Sequence, residues 1–300
     1  MKKKTYLFAL MAMALTLGSC SDNENGIGGE TSKYITVSTS IGNMTRVATD
    51  ANGGQTFEEG DEISVYAWIG APTVAPETRE RVVNNAINKL TNGSWVSTPQ
   101  MLWKNNRDKH YFIGVYPTAA ISDLSAGEYT FDETKQVESD LLVAVNKDGI
   151  SYNADEQQTV PLTFTHVMAK LAVNLTYKNQ WGGIPTVEKV VVGNATKEAT
   201  INYLTKVVTP STTAKEDFSL PEITENTKYV SVIIPQEDVK QLTIVIGGKN
   251  FVYDNGTPFK LESGKITTVN LEVGRDEIKL GDVKITNWED GSTFSGEALN

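Results

Sequence analysis

Few residue types in this chain could do chemistry. It holds two histidines, His110 and His166, and one cysteine, Cys20, among 300 residues. Nucleophilic catalysis needs a base within reach of an activated nucleophile. The nearest approach to a nucleophile elbow, Gly291-Ser292-Thr293-Phe294-Ser295-Gly296, lacks the G-x-S-x-G spacing. Gly247-Gly248-Lys249 follows an extended run without the helix that a phosphate loop requires. His110 precedes an apolar run and His166 joins two, so both read as structural. One Cys and two His build neither an internal disulfide nor a structural zinc site. Carboxylates are plentiful, and Glu58, Glu59, Asp61 and Glu62 form the densest group. Such a group could serve a glycosidase or a calcium ion, but it also suits a solvated turn. Trp68, Trp95, Trp103, Trp181 and Trp288 offer faces for sugars, although aromatic side chains in β-proteins more often fill cores. The expectation is a protein that is not an enzyme, with no catalytic residue, no metal and no cofactor.

Cys20 has a different chemistry in prospect. Lys2, Lys3 and Lys4 precede an apolar stretch, Tyr6 to Leu17, of about a dozen residues. That is short of the ~20 needed to span a bilayer, and the pattern is that of a secretory leader. It ends in Leu17-Gly18-Ser19-Cys20, which resembles a bacterial lipobox, where the thiol accepts a diacylglycerol before cleavage. Residues 1–19 are therefore expected to be a lipoprotein signal peptide, with Cys20 as the lipidation site and palmitate-type acyl chains as the anchor. Ser21 to Gly29 is acidic and then glycine-rich, and residues 20–33 read as a flexible tether. Its acidic start resembles the surface-export signals of some Gram-negative lipoproteins. Removing residues 1–19 takes away three lysines and no acid, moving the net charge from −10 to −13. An acidic balance of 27 Lys+Arg against 37 Asp+Glu argues against a nucleic-acid partner.

The elements that would position any site are strands. From Tyr34 onward, short β-branched and aromatic runs alternate with turn residues. The runs are 34–41, 62–69, 110–116, 141–146, 159–165, 170–177, 187–192, 229–234, 242–246, 250–253, 267–273 and 283–288. In the run 267–273, Val269, Leu271 and Val273 share one face and Thr268, Asn270 and Glu272 the other. Asn52-Gly53, Asn92-Gly93, Asp148-Gly149, Asn255-Gly256 and Asp290-Gly291 supply residues that tolerate positive φ in tight turns. Residues 77–90 place apolar side chains near one helical face, but Asn84-Asn85 and the following Asn92-Gly93 favour a hairpin. Residues 235–241 allow one helical turn. So many strands exceed one small sandwich. With the polar stretch 148–158 as a boundary, the chain reads as all-β with two β-sandwich domains, 34–158 and 159–300.

Five segments in order resemble the fimbrillins, the pilus and surface-adhesion subunits of Bacteroides-type Gram-negative bacteria. They are the run 34–41 followed by Thr45-Arg46, and Phe57-Glu-Glu-Gly-Asp-Glu-Ile63. Next come Tyr111-Phe-Ile-Gly-Val-Tyr-Pro117 and Phe164-Thr-His-Val-Met-Ala-Lys-Leu171, and last Ile285-Thr-Asn-Trp288. The resemblance implies two tandem transthyretin-like sandwiches and assembly by strand exchange. It makes residues 34–46 a removable first strand and processing loop. Tyr34, Ile35, Val37 and Ile41 lie on the strand to be displaced, and an Arg-specific protease would cut after Arg46. Ile278, Leu280, Val283 and Ile285 mark the candidate donor strand. The implied partners are other fimbrillin subunits, the outer membrane through the lipid anchor, that protease, and host or bacterial surface ligands. The implied location is the cell surface, in a fimbrium. A carbohydrate-binding outer-membrane lipoprotein of similar β-sandwich build is the alternative reading.

Overall fold

The computed structural model of the chain describes residues 33–42, 56–154, 156 and 158–288. The expected leader, Cys20, the tether up to residue 32, Thr45-Arg46 and the Asn52-Gly53 pair lie outside the described residues, as does everything beyond Trp288. Among the described residues there is no α-helix, only 3₁₀ turns at Thr78–Glu80 and Asn179–Trp181. No helix there is long and apolar enough to cross a membrane.

The first eight strands are β1 (Thr36–Ile41), β2 (Glu62–Ile69), β3 (Arg81–Thr91), β4 (Ser94–Thr98), β5 (Lys109–Tyr116), β6 (Gly127–Thr130), β7 (Leu142–Ser151) and β8 (Thr159–His166). Then come β9 (Ala169–Tyr177), β10 (Val187–Thr196), β11 (Glu198–Asn202), β12 (Val207–Pro210), β13 (Lys215–Ser219) and β14 (Glu222–Thr224). The last five are β15 (Lys228–Ile233), β16 (Gln241–Ile246), β17 (Lys249–Asp254), β18 (Lys265–Val273) and β19 (Ile278–Asn287).

β1 to β5, β7 and β8 form a seven-stranded sheet in the order β1-β8-β7-β5-β2-β3-β4. Its central strands read as unbroken apolar runs because both faces are covered. On one face Ile63, Val65, Phe112, Leu142, Ala144, Leu162 and Phe164 pack together with Ile35 and Val37. On the other, Tyr66, Trp68, Ile113, Val115 and Val143 join the larger core of the remaining chain. Gly114 permits this packing, since a Cβ there would lie 2.6 Å from Phe164 Cζ and 3.1 Å from Leu162 Cδ1. The sheet curls until its margins meet at one end. There Ile35 N–H donates to Met101 C=O at 2.9 Å, and Trp103 N–H donates to Lys33 C=O at 3.1 Å.

The hairpin reading of 77–90 holds: β3 and β4 pair across an Asn92-Gly93 turn with φ of 52° and 72°. Residues 235–241 form no helical turn. Gln236 instead bridges to Leu261, accepts Thr196 N–H at 2.9 Å and donates to Ile234 C=O at 3.0 Å.

A five-stranded sheet (β14-β15-β9-β18-β19) and a four-stranded sheet (β13-β10-β16-β17) follow, with a three-stranded sheet (β12-β11-β6) beside them. Leu171, Val173, Leu175, Val269, Leu271 and Val273 from the five-stranded sheet share a core with Val190, Val192, Leu242, Ile244 and Phe251 from the four-stranded one. Val269, Leu271 and Val273 are at most 1 % exposed, as the alternation in 267–273 predicts. Residue 158 falls just before β8, which hydrogen-bonds to β7 and β1; the chain leaves the first sheet at Val167-Met168.

Candidate functional site at the first and last strands

Tyr34, Ile35, Val37 and Ile41 lie along β1 and the residues leading into it. β1 runs parallel to β8, from Thr36 opposite Thr159 to Ile41 opposite Phe164. Period-two alternation turns Ile35 and Val37 into the core, at 2 % and 6 % exposure. Thr36 and Ser40 turn the other way, and their hydroxyls meet those of Thr159 and Thr163 at 3.2 Å. Tyr34 is exposed and bridges to Leu102. The opposite margin of β1 is mostly unladdered. Beyond the Ile35–Met101 bond, the Trp95 indole N–H donates to Thr39 Oγ1 at 3.0 Å. A cleft of about 540 Å³ then opens between β1 and the β3–β4 hairpin. Among the described residues its lining, which includes Ser38, Ser40, Phe57, Ser94 and Trp95, carries no charged side chain.

Phe57 through Ile63 stands at this cleft. Phe57 meets Trp95, Tyr116 and Phe164 edge-on, with ring centroids 5.1 to 5.4 Å apart. Gly60 adopts a φ of 98°, which lets Gly60 N–H donate to Leu90 C=O at 2.9 Å while Leu90 N–H donates to Asp61 C=O at 2.8 Å. The clustered carboxylates are spent on this turn. Asp61 accepts Glu58 N–H, Glu59 accepts Asn92 N–H, and Glu62 pairs with Lys89 at 3.0 Å. Burial, followed by the charge of Asp61, pushes the Tyr116 phenol up to about 12.

At the other end, Ile278, Leu280, Val283 and Ile285 all fall on one face of β19. Their spacing breaks phase between Leu280 and Val283, and a bulge restores it: Leu271 faces Leu280 while Asn270 faces Asp282, leaving Gly281 as the extra residue. That face looks the same way as the buried Val269 and Leu271. At the sheet margin, however, Leu280, Val283 and Ile285 remain 38 %, 37 % and 39 % exposed. β19 pairs only with β18.

The strand ends in a socket that sequence reasoning did not assemble. Trp288 stacks on the His166 imidazole, with centroids 4.2 Å apart and planes 8° apart. Lys170 Nζ lies 4.1 Å from the indole centroid. His166 Nδ1 is 2.7 Å from Asp140 Oδ1, and Trp288 N–H donates to Gly264 C=O at 3.1 Å. Burial pulls the Lys170 amine down to about 8, with Asp140 opposing. The signal lay in two separate motif segments, 164–171 and 285–288, whose meeting depends on β18 and β19 pairing beside β9.

His110 is buried, accepts Lys104 N–H at 3.1 Å and has its pKa lowered by burial, a structural arrangement. None of the five tryptophans is exposed. Trp68 and Trp181 donate to Ala71 C=O and Val273 C=O, and Trp103 stacks in the first core. Among the described residues no group of three or more His, Cys, Asp or Glu is placed to hold a metal ion.

This arrangement of sheets is shared with solved structures. A protein from Bacteroides uniformis, described as a candidate cell adhesion protein, superposes with a TM-score of 0.63 at 18% identity, covering 87% of this chain and 98% of its own. A similarly described protein from Bacteroides ovatus gives 0.65 at 17% identity, over 85% of this chain and 98% of that one. A fimbrial protein from Bacteroides vulgatus gives 0.53 at 14% identity, over 86% and 100%. At these identities the likeness is one of fold. A search of curated proteins found no match. Residues 45–288 match the family described as fimbrillin-like, and the chain belongs to that family.

Proposed function

We propose that this chain is a lipidated, surface-exposed fimbrial subunit that polymerises by β-strand exchange. In this reading Cys20 anchors the precursor in the outer membrane, and cleavage after Arg46 frees β1 from the rest of the chain. β19 of another subunit takes the vacated place. The subunit is built as two tandem transthyretin-like sandwiches, with the boundary near residue 158.

The observation that carries the reading is the way β1 is held. It is a marginal strand in a parallel ladder, and parallel ladders are slightly less stable per residue than antiparallel ones. Its apolar side chains nevertheless fill the core, so its departure would uncover both the β8 edge and an apolar groove. Open edges and apolar grooves recruit extended segments from other chains. β19 presents apolar side chains on one face, brought into phase by its bulge and partly exposed at its own sheet margin.

The test is to incubate the purified precursor with an Arg-specific protease and follow polymer ladders on a non-denaturing gel. Cleavage after Arg46 is expected to yield ladders, and Arg46→Ala is expected to abolish them. Cleaved protein that stays monomeric with β1 retained would refute strand exchange.

A further inference from the structure

We propose that the Trp288 indole, seated between His166 and Lys170, is the lock that keeps β19 in its own sheet and so sets when that strand is available to a second copy of the chain. The link to a second copy rests on the strand-exchange reading above; the lock itself does not.

The main chain of β19 is laddered to β18 over nine residue pairs, but its side chains bury little. It has one neighbouring strand, its ladder is interrupted by the bulge at Gly281, and its apolar face is half exposed. From Ile278 to Trp288, the tryptophan is the only buried residue. Indole is the largest apolar side-chain surface a protein can bury, so most of the buried apolar anchoring of this strand sits at one position.

The socket is assembled from elsewhere. Its parts are His166 at the end of β8, Lys170 in β9, Asp140 before β7 and the Gly264 carbonyl before β18. The cation over the indole and the flat imidazole stack favour an aromatic ring specifically, where an aliphatic side chain would gain only contact. Opening also has a compensation built in. Trp288 Nε1 is buried without a hydrogen-bond partner among the described residues, so leaving the socket restores a bond to water. Strong anchoring at a single removable point is what distinguishes a lock from a uniformly packed strand.

The experiment is hydrogen–deuterium exchange on the full-length precursor, comparing wild type, Trp288→Ala, Trp288→Phe and Lys170→Met. Trp288→Ala is expected to speed exchange of the 278–287 amides by about 100-fold while the β1 amides stay unchanged. Lys170→Met should give a smaller, β19-selective increase, and Trp288→Phe should retain most protection. Exchange of 278–287 within about twofold of wild type in Trp288→Ala overturns the lock. If Trp288→Ala loses protection everywhere, Lys170→Met decides: selective loosening of β19 supports the lock, and none overturns it. After Arg-specific cleavage, faster laddering by the loosened variants supports the coupling to assembly, and unchanged laddering overturns it. Loosened β19 with no ladder in any variant, wild type included, leaves the lock standing and refutes strand exchange instead.

Discussion

At the scale of single residues, two positions make sharp demands. Gly114 sits where Phe164 crosses β5, and any Cβ would intrude on that ring. Gly114→Ala is expected to lower stability by about 1–3 kcal/mol in urea denaturation, because an overpacked strand must shift to admit a methyl group. Lys170 behaves differently, since its amine titrates near 8 when folded and near 10.5 when unfolded. The folded state therefore binds fewer protons between those values, and stability should rise as the pH climbs from 8 toward 10. The gain is on the order of 2 kcal/mol, reduced by the pull of the indole face toward the charged form. Above pH 10 the trend should reverse. Tyr116, Tyr177 and Tyr203 have folded values of about 12, so ionisation of the unfolded phenols then favours unfolding. Denaturation midpoints at pH 8, 9 and 10 check this, and Lys170→Met should flatten the rise. None of these roles is visible in sequence, because each depends on what crosses the residue in space.

Among the elements, β1 and the residue before it seat two apolar side chains in the core. Burial of Ile35 and Val37 is worth roughly 3–6 kcal/mol, beyond its main-chain bonds. A chain lacking residues 1–46 is expected to self-associate at micromolar concentration in light scattering. A synthetic peptide of residues 33–42 should return it to monomer. Strands of this kind were legible in the sequence. All twelve β-branched or aromatic runs, including β2, β5, β9 and β18, are strands, because burial selects side chains that fit a pleated core. The strands left unread are β6, β11, β12, β13 and β14, three to five residues each, with sequences such as GEYT, KEDFS and EIT. They are too short for an alternating pattern to show, and β6, β11 and β13 depend on ladders to strands elsewhere in the chain, as β11 does on β6. The β1 and β19 alternations could be read in advance. The Trp288 socket could not, because its parts come from four separate places along the chain.

For the whole molecule, charge opposes association. The full chain carries a net charge of −10, and one lacking residues 1–19 carries −13. Like-charged subunits repel until salt screens them over about 10 Å at 0.1 M. Polymer growth from protease-treated protein is therefore expected to quicken severalfold between 20 and 300 mM NaCl, as followed by light scattering. A slowing would point to ion pairs between subunits as the main attraction.

The short ladder joining Ile35 to Met101 also bears on reaction order. While it holds, the groove under β1 opens only by a unimolecular event within one uncut chain. Spontaneous association of intact precursor should then be first order, with a half-time fixed by that opening and independent of concentration. Association after cleavage should be second order, its half-time shortening in proportion as protein is added.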